Sequence, residues 1–488
     1  MNKMLKLIGV ITIITVIGFS TASCSDGGGS SAAPDAPLAV IGVTPGSSGA
    51  AISGNVVIVF NKTMDVTVNG TVQLNSLTAL SGGTWATSKN MYSIPYSDLA
   101  RNTEYTVNIS GFKDEAGNVM TANSDNKFTT VFIKAGLYAK TTDQITGNDN
   151  PIVAYDKTSA TTAATTYSAA IIYAKNNPKE YTLLLDGDAS IAGGTAASAD
   201  ATMLDVDGLT LRLEGIGSNS NISLTSSGRL FTVALNSKLV LGANITLNGI
   251  PSNNQPVVYI NVGGRLDMYK GAVITGNDAG VSNCGGVAVY EGTFTMEGGS
   301  ITGNKGFTGG GVEVISGTFT MLGGEISGNE AGNGGGVSVN GTFNLLGGSI
   351  TGNTANGPND DATHKDGGGG VCVSSNGRFN MTGGSITGNT ANLYGGGVKM
   401  FAPSSAGISQ YFMMFRGTIS GNTAKKASSG GGVYLYGSTN FTLLSPATKA
   451  NVSGNFSPAG TANQVATPEE GEDGHGSISG SDSGNAGW

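Results

Sequence analysis

A repeat of about 25 residues in the second half of the chain constrains the fold more than any other feature. The segment GTFTMEGGSITGN at 292–304 recurs as GTFTMLGGEISGN at 317–329, GTFNLLGGSITGN at 341–353 and GRFNMTGGSITGN at 377–389. In each repeat, three short runs alternate apolar and polar residues between Gly-rich turns. Three strands and three turns per repeat are typical of one coil of a right-handed parallel β-helix. One coil cannot bury enough apolar surface alone, so the coils must stack.

An Asn follows the third run of each repeat, and looser repeats extend the series in both directions. The predicted repeat turn positions are Asn277, Asn304, Asn329, Asn353, Asn389, Asn422 and Asn455. Gly and Asn tolerate the left-handed backbone region that tight turns require. Asn side chains at one stacked position can also form a hydrogen-bonded ladder. With weaker strand patterns before the strict repeats, the β-helix is predicted to cover residues 204–458.

Composition supports a β-rich chain and excludes several alternatives. Gly supplies 79 of 488 residues and charged residues only 12%, whereas soluble domains contain about 25% charged residues. A coiled coil or helical bundle is therefore excluded. The formal net charge of −8 comes with no basic cluster, so nucleic acid is not a predicted partner. Residues 459–488 are rich in Gly and Ser and carry acidic side chains but no Lys or Arg, which predicts an acidic tail.

One amphipathic helix is predicted ahead of the repeats. The segment YSAAIIYAKN at 167–176 is followed by Pro178 and then by the strand-like run YTLLLDGD. Because a stack of coils leaves apolar surface open at its first coil, we interpret this helix as an N-terminal cap. It lies in a predicted connector of residues 131–203.

The N-terminus has the features of a secretion signal. Two lysines precede an apolar run at 7–19, which is too short to span a bilayer, and small residues then lead to Cys24. The small residues and the Cys resemble the bacterial lipobox. This resemblance implies a signal peptide at 1–23, lipidation of Cys24 and a flexible linker at 24–37. The predicted protein is secreted and held by its lipid at the outer membrane or cell surface.

Residues 38–130 show short apolar alternations between turn signals, which predicts an antiparallel sandwich. The sequences VTPGSSGAAISGNVVIVFNKTMD, LARNTEYTVNISGFKDEAGN and KFTT resemble the bacterial Ig-like domains of surface-layer proteins and secreted enzymes. The resemblance implies an Ig-like β-sandwich that serves as a spacer, with Tyr105 in a tyrosine corner. The predicted fold class is therefore all-β: an Ig-like β-sandwich, a short capping helix and a right-handed parallel β-helix.

The repeat cores GGSI and GGEI resemble the GGA[ILV] repeats of polymorphic outer-membrane adhesins. The sequences FTME, FTML and FNLL stand where those adhesins have FxxN. The resemblance implies a β-helix that is displayed at the surface and functions in adhesion.

No catalytic residues are predicted. The outward positions of the first and second runs place no two acidic residues on adjacent coils, and the chain has only two histidines. Asp360, Asp361 and Asp366 lie in the insertion NGPNDDATHKD and are the candidate ligands for a metal, with calcium as the ion that such oxygens favour. No other cofactor is predicted.

A second insertion, at 401–415, carries the candidate ligand-binding residues Phe401, Tyr411 and Phe412. Aromatic side chains on an inserted loop suit contact with sugar rings or proteins. The predicted function is a surface lipoprotein that displays a β-helix rod to bind a host-matrix protein or a polysaccharide. Two alternatives stay open: a polysaccharide lyase or glycosidase, and a structural surface protein without a ligand.

Overall fold

The computed structural model describes most of the chain between residues 36 and 480. The described residues are 36–46, 48–97, 99–131, 133–194, 202–217, 219–280, 284–358, 366–401, 411–426, 429–435, 440–443, 452–453, 455, 465–466 and 477–480. The predicted signal peptide, Cys24 and most of the predicted linker lie outside these residues. Within the described part, no helix has both the length and the apolar character needed to cross a membrane.

The N-terminal part is a sandwich of two four-stranded sheets. One sheet contains, in order, Val40–Thr44, Gly54–Phe60, Met91–Tyr96 and Thr84–Trp85. The other contains, in order, Ser48–Ala50, Asn123–Thr130, Glu104–Ser110 and Thr71–Leu74. Alternate residues of these strands, such as Val56, Ile58 and Phe60, are buried in a core of their own. The Tyr105 hydroxyl accepts a hydrogen bond from the Ala100 N–H at 2.9 Å, as expected for a tyrosine corner.

A connector with one α-helix follows the sandwich. It contains the strands Gly136–Tyr138 and Val153–Ala154, the 3-10 helix Thr142–Gln144 and the α-helix Ala160–Asn176. The α-helix begins seven residues earlier than predicted, because the Ser159 side chain caps it by accepting from the Thr162 N–H at 3.1 Å. Its buried face, including Tyr167 and Ile171, belongs to the same hydrophobic core as the strands that follow.

The remaining strands form a parallel stack of three long columns. In each column, a strand pairs in parallel with the equivalent strand of the next repeat, and we call each repeat a level. The first column contains Met203–Leu204, Phe231–Val233, Val258–Ile260, Val337–Val339, Val371–Val373, Val398–Met400, Val433–Leu435 and Val465–Ala466. The second contains Glu180–Leu185, Thr210–Gly215, Lys238–Leu241, Arg265–Met268, Thr342–Leu345, Asn440–Leu443 and Ser477–Gly480. The third contains Ala189–Ile191, Ser220–Leu224, Ile245–Asn248, Ala272–Thr275, Ser300–Thr302, Glu325–Ser327, Ser349–Thr351 and Val452–Ser453.

Four longer strands take part in two columns each. Val287–Met296 and Val312–Met321 belong to the first and second columns, whereas Arg378–Thr387 and Tyr411–Ser420 belong to the second and third. Parallel pairing also continues into the predicted acidic tail, because Ser477–Gly480 pairs with Asn440–Leu443. The stack therefore extends beyond residue 458, where the sequence pattern ends.

The three columns enclose one continuous hydrophobic core. The inward side chains of one level, such as Val312, Phe319 and Ile326, are fully buried, as their alternation predicts. Because equivalent residues pair across levels, identical side chains lie above one another. Among the side chains that the structure describes, five phenylalanines form such a column with ring centroids 4.5–5.0 Å apart: Phe294, Phe319, Phe343, Phe379 and Phe412.

A fourth, shorter column was not predicted from the sequence. It is a five-stranded parallel sheet of Lys305–Thr308, Glu330–Asn333, Thr354–Ala355, Thr390–Ala391 and Thr423–Ala424. Each of these strands begins directly after the Asn of its repeat. Three of them are only two residues long, and so short a run shows no detectable alternation.

The asparagines of the repeat are buried and bonded between levels. The side-chain amide of Asn329 donates to Asn353 Oδ1 at 3.0 Å and to the Ile301 carbonyl of the preceding level at 2.9 Å. The Asn329 backbone N–H also donates to Asn353 Oδ1, at 3.0 Å. The same pattern recurs up to Asn455. The positive φ belongs to the preceding Gly, for example 61° at Gly328, so the Asn serves the ladder instead of relieving backbone strain.

The Gly-rich turns before the first column allow the levels to approach closely. A Cβ atom at Gly335 would lie 2.4 Å from the Thr354 carbonyl oxygen and 2.7 Å from the Gly369 carbonyl oxygen. Any larger residue would therefore separate the backbones of two levels. This close contact explains why the motif retains Gly where an ordinary turn accepts other residues.

We predict that Asn353→Ala destabilises the stack by about 3 kcal/mol. The substitution removes the acceptor of the Asn329 N–H and side-chain amide and the donor to the buried Ile326 carbonyl. Urea unfolding, with hydrogen exchange to locate the weakened levels, measures the loss. The matched control is Asn340→Ala, which removes one exposed hydrogen bond to the Ile315 carbonyl and should cost less than about 1 kcal/mol. Equal losses of unfolding free energy in the two variants would contradict a stabilising role for the asparagine ladder.

Candidate functional site

A cleft of about 470 Å³ lies beside the first levels of the fourth column. Pro358 and Asp366, which belong to the acidic insertion, both contribute to its wall. The side chains that give the cleft its chemistry are Asp278, Lys305, Phe307, Glu330, Asn356 and Asp366. The cleft therefore combines carboxylates, one ammonium group, one amide and one aromatic ring.

Parallel register brings the charged residues of the cleft together. The backbone of Lys305 pairs with that of Glu330 on the next level. On the preceding level, the backbone of Asp278 forms an isolated parallel β-bridge with Lys305. Alternation directs the intervening residues inward, as the burial of Ala331 and Ala355 shows. Residues that lie far apart in the sequence thus become neighbours with alternating charge.

The charges of Lys305 and Glu330 compensate each other. Lys305 Nζ lies 3.1 Å from Glu330 Oε2, and this contact raises the pKa of Lys305. The other carboxylate oxygen, Glu330 Oε1, accepts a hydrogen bond from the Asn356 side-chain amide. With both oxygens engaged, Glu330 is suited to hold a fixed position in a binding surface.

Polar side chains continue beyond the cleft along the fourth column. The Asn392 side-chain amide donates to the Asn356 carbonyl at 3.4 Å, and Lys425 Nζ donates to Asn392 Oδ1 at 2.9 Å. We call the set Lys305, Glu330, Asn356, Asn392 and Lys425 the polar rail. It presents one side chain per level, at the inter-strand spacing of about 4.8 Å.

Phe307 gives the cleft an exposed apolar surface. Its side chain is 47% exposed, although most phenylalanines of the stack are fully buried. The neighbouring levels have Gly280 and Gly332 at the corresponding positions, and neither residue has a side chain to cover the ring. The ring is therefore accessible next to charged and amide groups.

The sequence analysis did not identify Lys305, Phe307 or Glu330 as site residues. A signal was available, since Asp278, Lys305 and Glu330 each directly follow the repeat Asn of their level. Recognising it requires the knowledge that residues after the Asn form a column of their own. Only the register of the stack supplies that knowledge.

The structure describes one of the three predicted metal ligands. Asp360 and Asp361 lie outside the described residues. Asp366 is only 4% exposed and accepts a hydrogen bond from the Asn333 side-chain amide at 2.6 Å. Among the described residues, no three His, Cys, Asp or Glu side chains converge in a way that could hold a metal ion.

The structure corrects the prediction for Phe412. This side chain is fully buried and stacks on Phe379, with ring centroids 4.5 Å apart. It is therefore a core residue and does not face a ligand. Phe401 and Tyr411 are half-buried, and the Phe401 ring contacts Lys399 Nζ, which lies 3.2 Å from its centroid. Residues 402–410 of this insertion lie outside the described residues.

The first-column residues that point away from the core are not exposed to solvent. Ser338, Cys372, Lys399 and Tyr434 at these positions are buried. Residues from the end of the fourth column and its neighbouring turns cover this face. The outward side of the first column is thus partly internal.

Glu313 is a carboxyl group on this covered face. Its Oε1 accepts a hydrogen bond from the Thr308 hydroxyl at 2.5 Å. Burial raises its pKa, and the Thr308 bond opposes that change only in part. Its neighbour Cys284 is also buried, and burial raises the pKa of this thiol well above its usual value.

Cys284 and Cys372 are free and buried thiols. Burial raises the pKa of Cys372 to about 11, although Lys399 opposes the shift. Both thiols are therefore protonated at neutral pH, whereas nucleophilic chemistry requires the thiolate. These cysteines pack as small apolar residues.

Comparison with known proteins finds a family match for the N-terminal part. Residues 34–130 match the family described as bacterial Ig-like domain, which confirms the resemblance that was predicted for the sandwich. Among solved structures, the chain is similar to surface layer protein SbsC, domains 1–6, at 23% sequence identity and a TM-score of 0.17. The similarity covers 21% of this chain and 15% of that chain. No curated protein matches.

We predict that Glu313→Gln stabilises the protein relative to wild type as the pH rises. Because burial raises the pKa of Glu313, the folded state holds its proton more tightly than the unfolded state. Wild type is therefore fully stable below the unfolded pKa, near 4.3, and loses stability as the pH rises through the higher folded pKa. The Gln side chain retains an acceptor for Thr308 but cannot ionise.

Unfolding midpoints near pH 4 and near pH 8 measure this difference. The gain in stability of Glu313→Gln over wild type should be small at the lower pH and larger at the higher pH. Glu325→Gln removes an exposed carboxylate of the third column and should leave stability close to that of wild type at both. A pH-independent advantage of Glu313→Gln would show that burial of the charge is not its cause.

Proposed function

We propose that this protein is a bacterial surface lipoprotein that displays a right-handed parallel β-helix to bind a glycan or a protein. The parallel register of three columns around one core supports the β-helix assignment. The Ig-like domain fits a spacer role between an anchor and the stack. In this proposal, the lipid on Cys24 attaches the chain to the membrane.

The cleft and the polar rail are the observation on which the binding function rests. The cleft volume of about 470 Å³ lies in the range of small-ligand sites, about 300–1,000 Å³. Its polar groups are fixed by bonds between levels, so they keep their positions without a ligand. A preformed surface of this kind loses little entropy when it binds.

Binding without turnover is the function that this geometry supports. General acid–base catalysis needs a carboxyl group that exchanges its proton freely with the substrate. Glu330 instead accepts bonds from Lys305 and Asn356. The half-buried carboxyl of Glu313 lies on the covered face of the first column, bonded to Thr308.

The dimensions of the stack suit display away from a membrane. In the part of the chain that the structure describes, the second column contains eleven parallel strands from Glu180–Leu185 to Ser477–Gly480. At about 4.8 Å per level, the column is about 50 Å long. A rod of this length behind a spacer domain would extend its lateral surfaces beyond the immediate surface of the cell.

The binding function is tested with the chain from residue 25 onward, which retains every described residue. We expect saturable retention of at least one member of a panel of matrix proteins and neutral and acidic polysaccharides, with no release of new sugar ends. Glu330→Gln should weaken this retention about tenfold, because the variant loses its ion pair with Lys305. Glu325→Gln, from the same repeat, should not change it.

Release of new sugar ends would replace the binding function with a polysaccharide-degrading one. Retention of no member of the panel would contradict a binding function and favour the structural alternative.

The proposed lipidation of Cys24 can be tested separately. When the full chain is produced in a bacterial host with labelled fatty acid, wild type should carry the label and sediment with membranes. Cys24→Ala should lose both properties, because a thiol is required for attachment of the lipid. Ser25→Ala is the control and should behave as wild type. Persistence of the label in Cys24→Ala would contradict lipidation at this residue.

A further inference from the structure

We propose that the ligand of the cleft is an uncharged linear polysaccharide that lies along the polar rail, parallel to the axis of the stack. One sugar ring of this ligand rests on Phe307. The inference depends on the proposed binding function and names the ligand class of the same site.

Charge compensation favours an uncharged ligand. Glu330 already bonds to Lys305 and Asn356, and Lys425 bonds to Asn392. A charged ligand would have to break these contacts before forming its own, at the cost of leaving one partner unpaired. Sugar hydroxyl groups both donate and accept, so they can bond to the remaining lone pairs and protons while the contacts stay intact.

The sign of the charges disfavours a polyanion in particular. Among the described residues, the carboxyl groups of Asp278 and Glu330 line the cleft together with one ammonium group, that of Lys305, and the buried Asp366 carboxyl lies in its wall. Like charges at the short distances of a cleft repel, and a partly desolvated site strengthens this repulsion. A polyuronate or a sulfated glycan would therefore bind less well than a neutral chain.

The geometry of the rail favours a linear polymer. Its five side chains lie on consecutive levels of the fourth column. Lys305 and Glu330 occupy the first strand position, whereas Asn356, Asn392 and Lys425 lie two residues further along their levels. Four intervals of about 4.8 Å give a track of about 19 Å. An extended chain of about four sugar units covers this length and meets a hydrogen-bonding group on each level. A compact or branched ligand would reach only part of it.

Phe307 supplies the apolar contact that sugar recognition needs. The C–H groups on one face of a sugar ring are apolar and pack against the negative face of an aromatic ring. Phe307 is 47% exposed, with Gly280 and Gly332 on the adjacent levels. It lies at the Lys305 end of the rail, so a ring stacked there directs the rest of the chain toward Asn356.

The test is titration calorimetry of the chain from residue 25 onward with uncharged oligosaccharides of increasing length. The probes are β-1,4-linked glucose and mannose oligomers from dimer to octamer. We expect affinity to rise up to about four sugar units and then to level off. Because no charges meet in the complex, the affinity should also change little between low and high salt.

Phe307→Ala should weaken binding of the hexamer about tenfold or more. The matched control is Phe415→Ala, which removes another exposed phenylalanine, 37% exposed, from a different part of the surface. Both side chains lie outside the core, so both variants should retain the circular dichroism spectrum and unfolding midpoint of wild type. If both variants weakened binding equally, or if Phe307→Ala did not weaken it, the cleft would not be the binding site.

Charged probes separate this inference from the proposed function. Polygalacturonate and a sulfated glycan are titrated alongside the neutral oligomers, and the matrix proteins of the panel are included. Preferential binding of a charged glycan or of a protein would overturn the ligand class and leave the binding function intact. Absence of binding by every probe would overturn both.

Discussion

Hydrogen bonding between stacked asparagine side chains sets the register on which the rest of the structure depends. Each amide of the ladder bonds to the Asn of the next level and to an Ile carbonyl of the preceding one. These bonds lie in the interior, where an unpaired amide or carbonyl would be costly. A shift of one residue between levels would break them all along the axis. The ladder therefore aligns each repeat with the next, residue for residue.

This register converts a one-dimensional repeat into vertical columns with separate properties. At inward positions it produces the phenylalanine column, in which neighbouring rings lie 4.5–5.0 Å apart. At outward positions, any substitution in one repeat becomes the neighbour of a substitution in the next. The polar rail and the ion pair of Lys305 with Glu330 arise in this way. The polar rail thus requires no departure from the repeat backbone, only different side chains upon it.

Polar contacts also join the sandwich to the stack. Arg101 of the sandwich donates to the Thr142 carbonyl at 2.9 Å, and the Thr142 hydroxyl donates to Glu214 of the stack at 2.8 Å. Burial lowers the pKa of Arg101 and raises that of Glu214, while the attraction between these opposite charges counteracts both shifts. The junction therefore contains buried charges that compensate each other, whereas the interior of each domain is a hydrophobic core. These bonds depend on geometry, so they favour one arrangement of the sandwich against the stack.

The sequence by itself determined the β-rich class, the Ig-like segment, the position of the helix and the inward residues such as Phe319 and Ile326, because alternation and repetition are local patterns. It did not determine the fourth column, whose strands are too short to show alternation, or the burial of Lys399 and Phe412. It also did not reveal the cleft of Lys305, Phe307 and Glu330. These features depend on which residues of different repeats become neighbours. Only the tertiary structure decides that, since lateral contacts between levels have no signature within a single repeat.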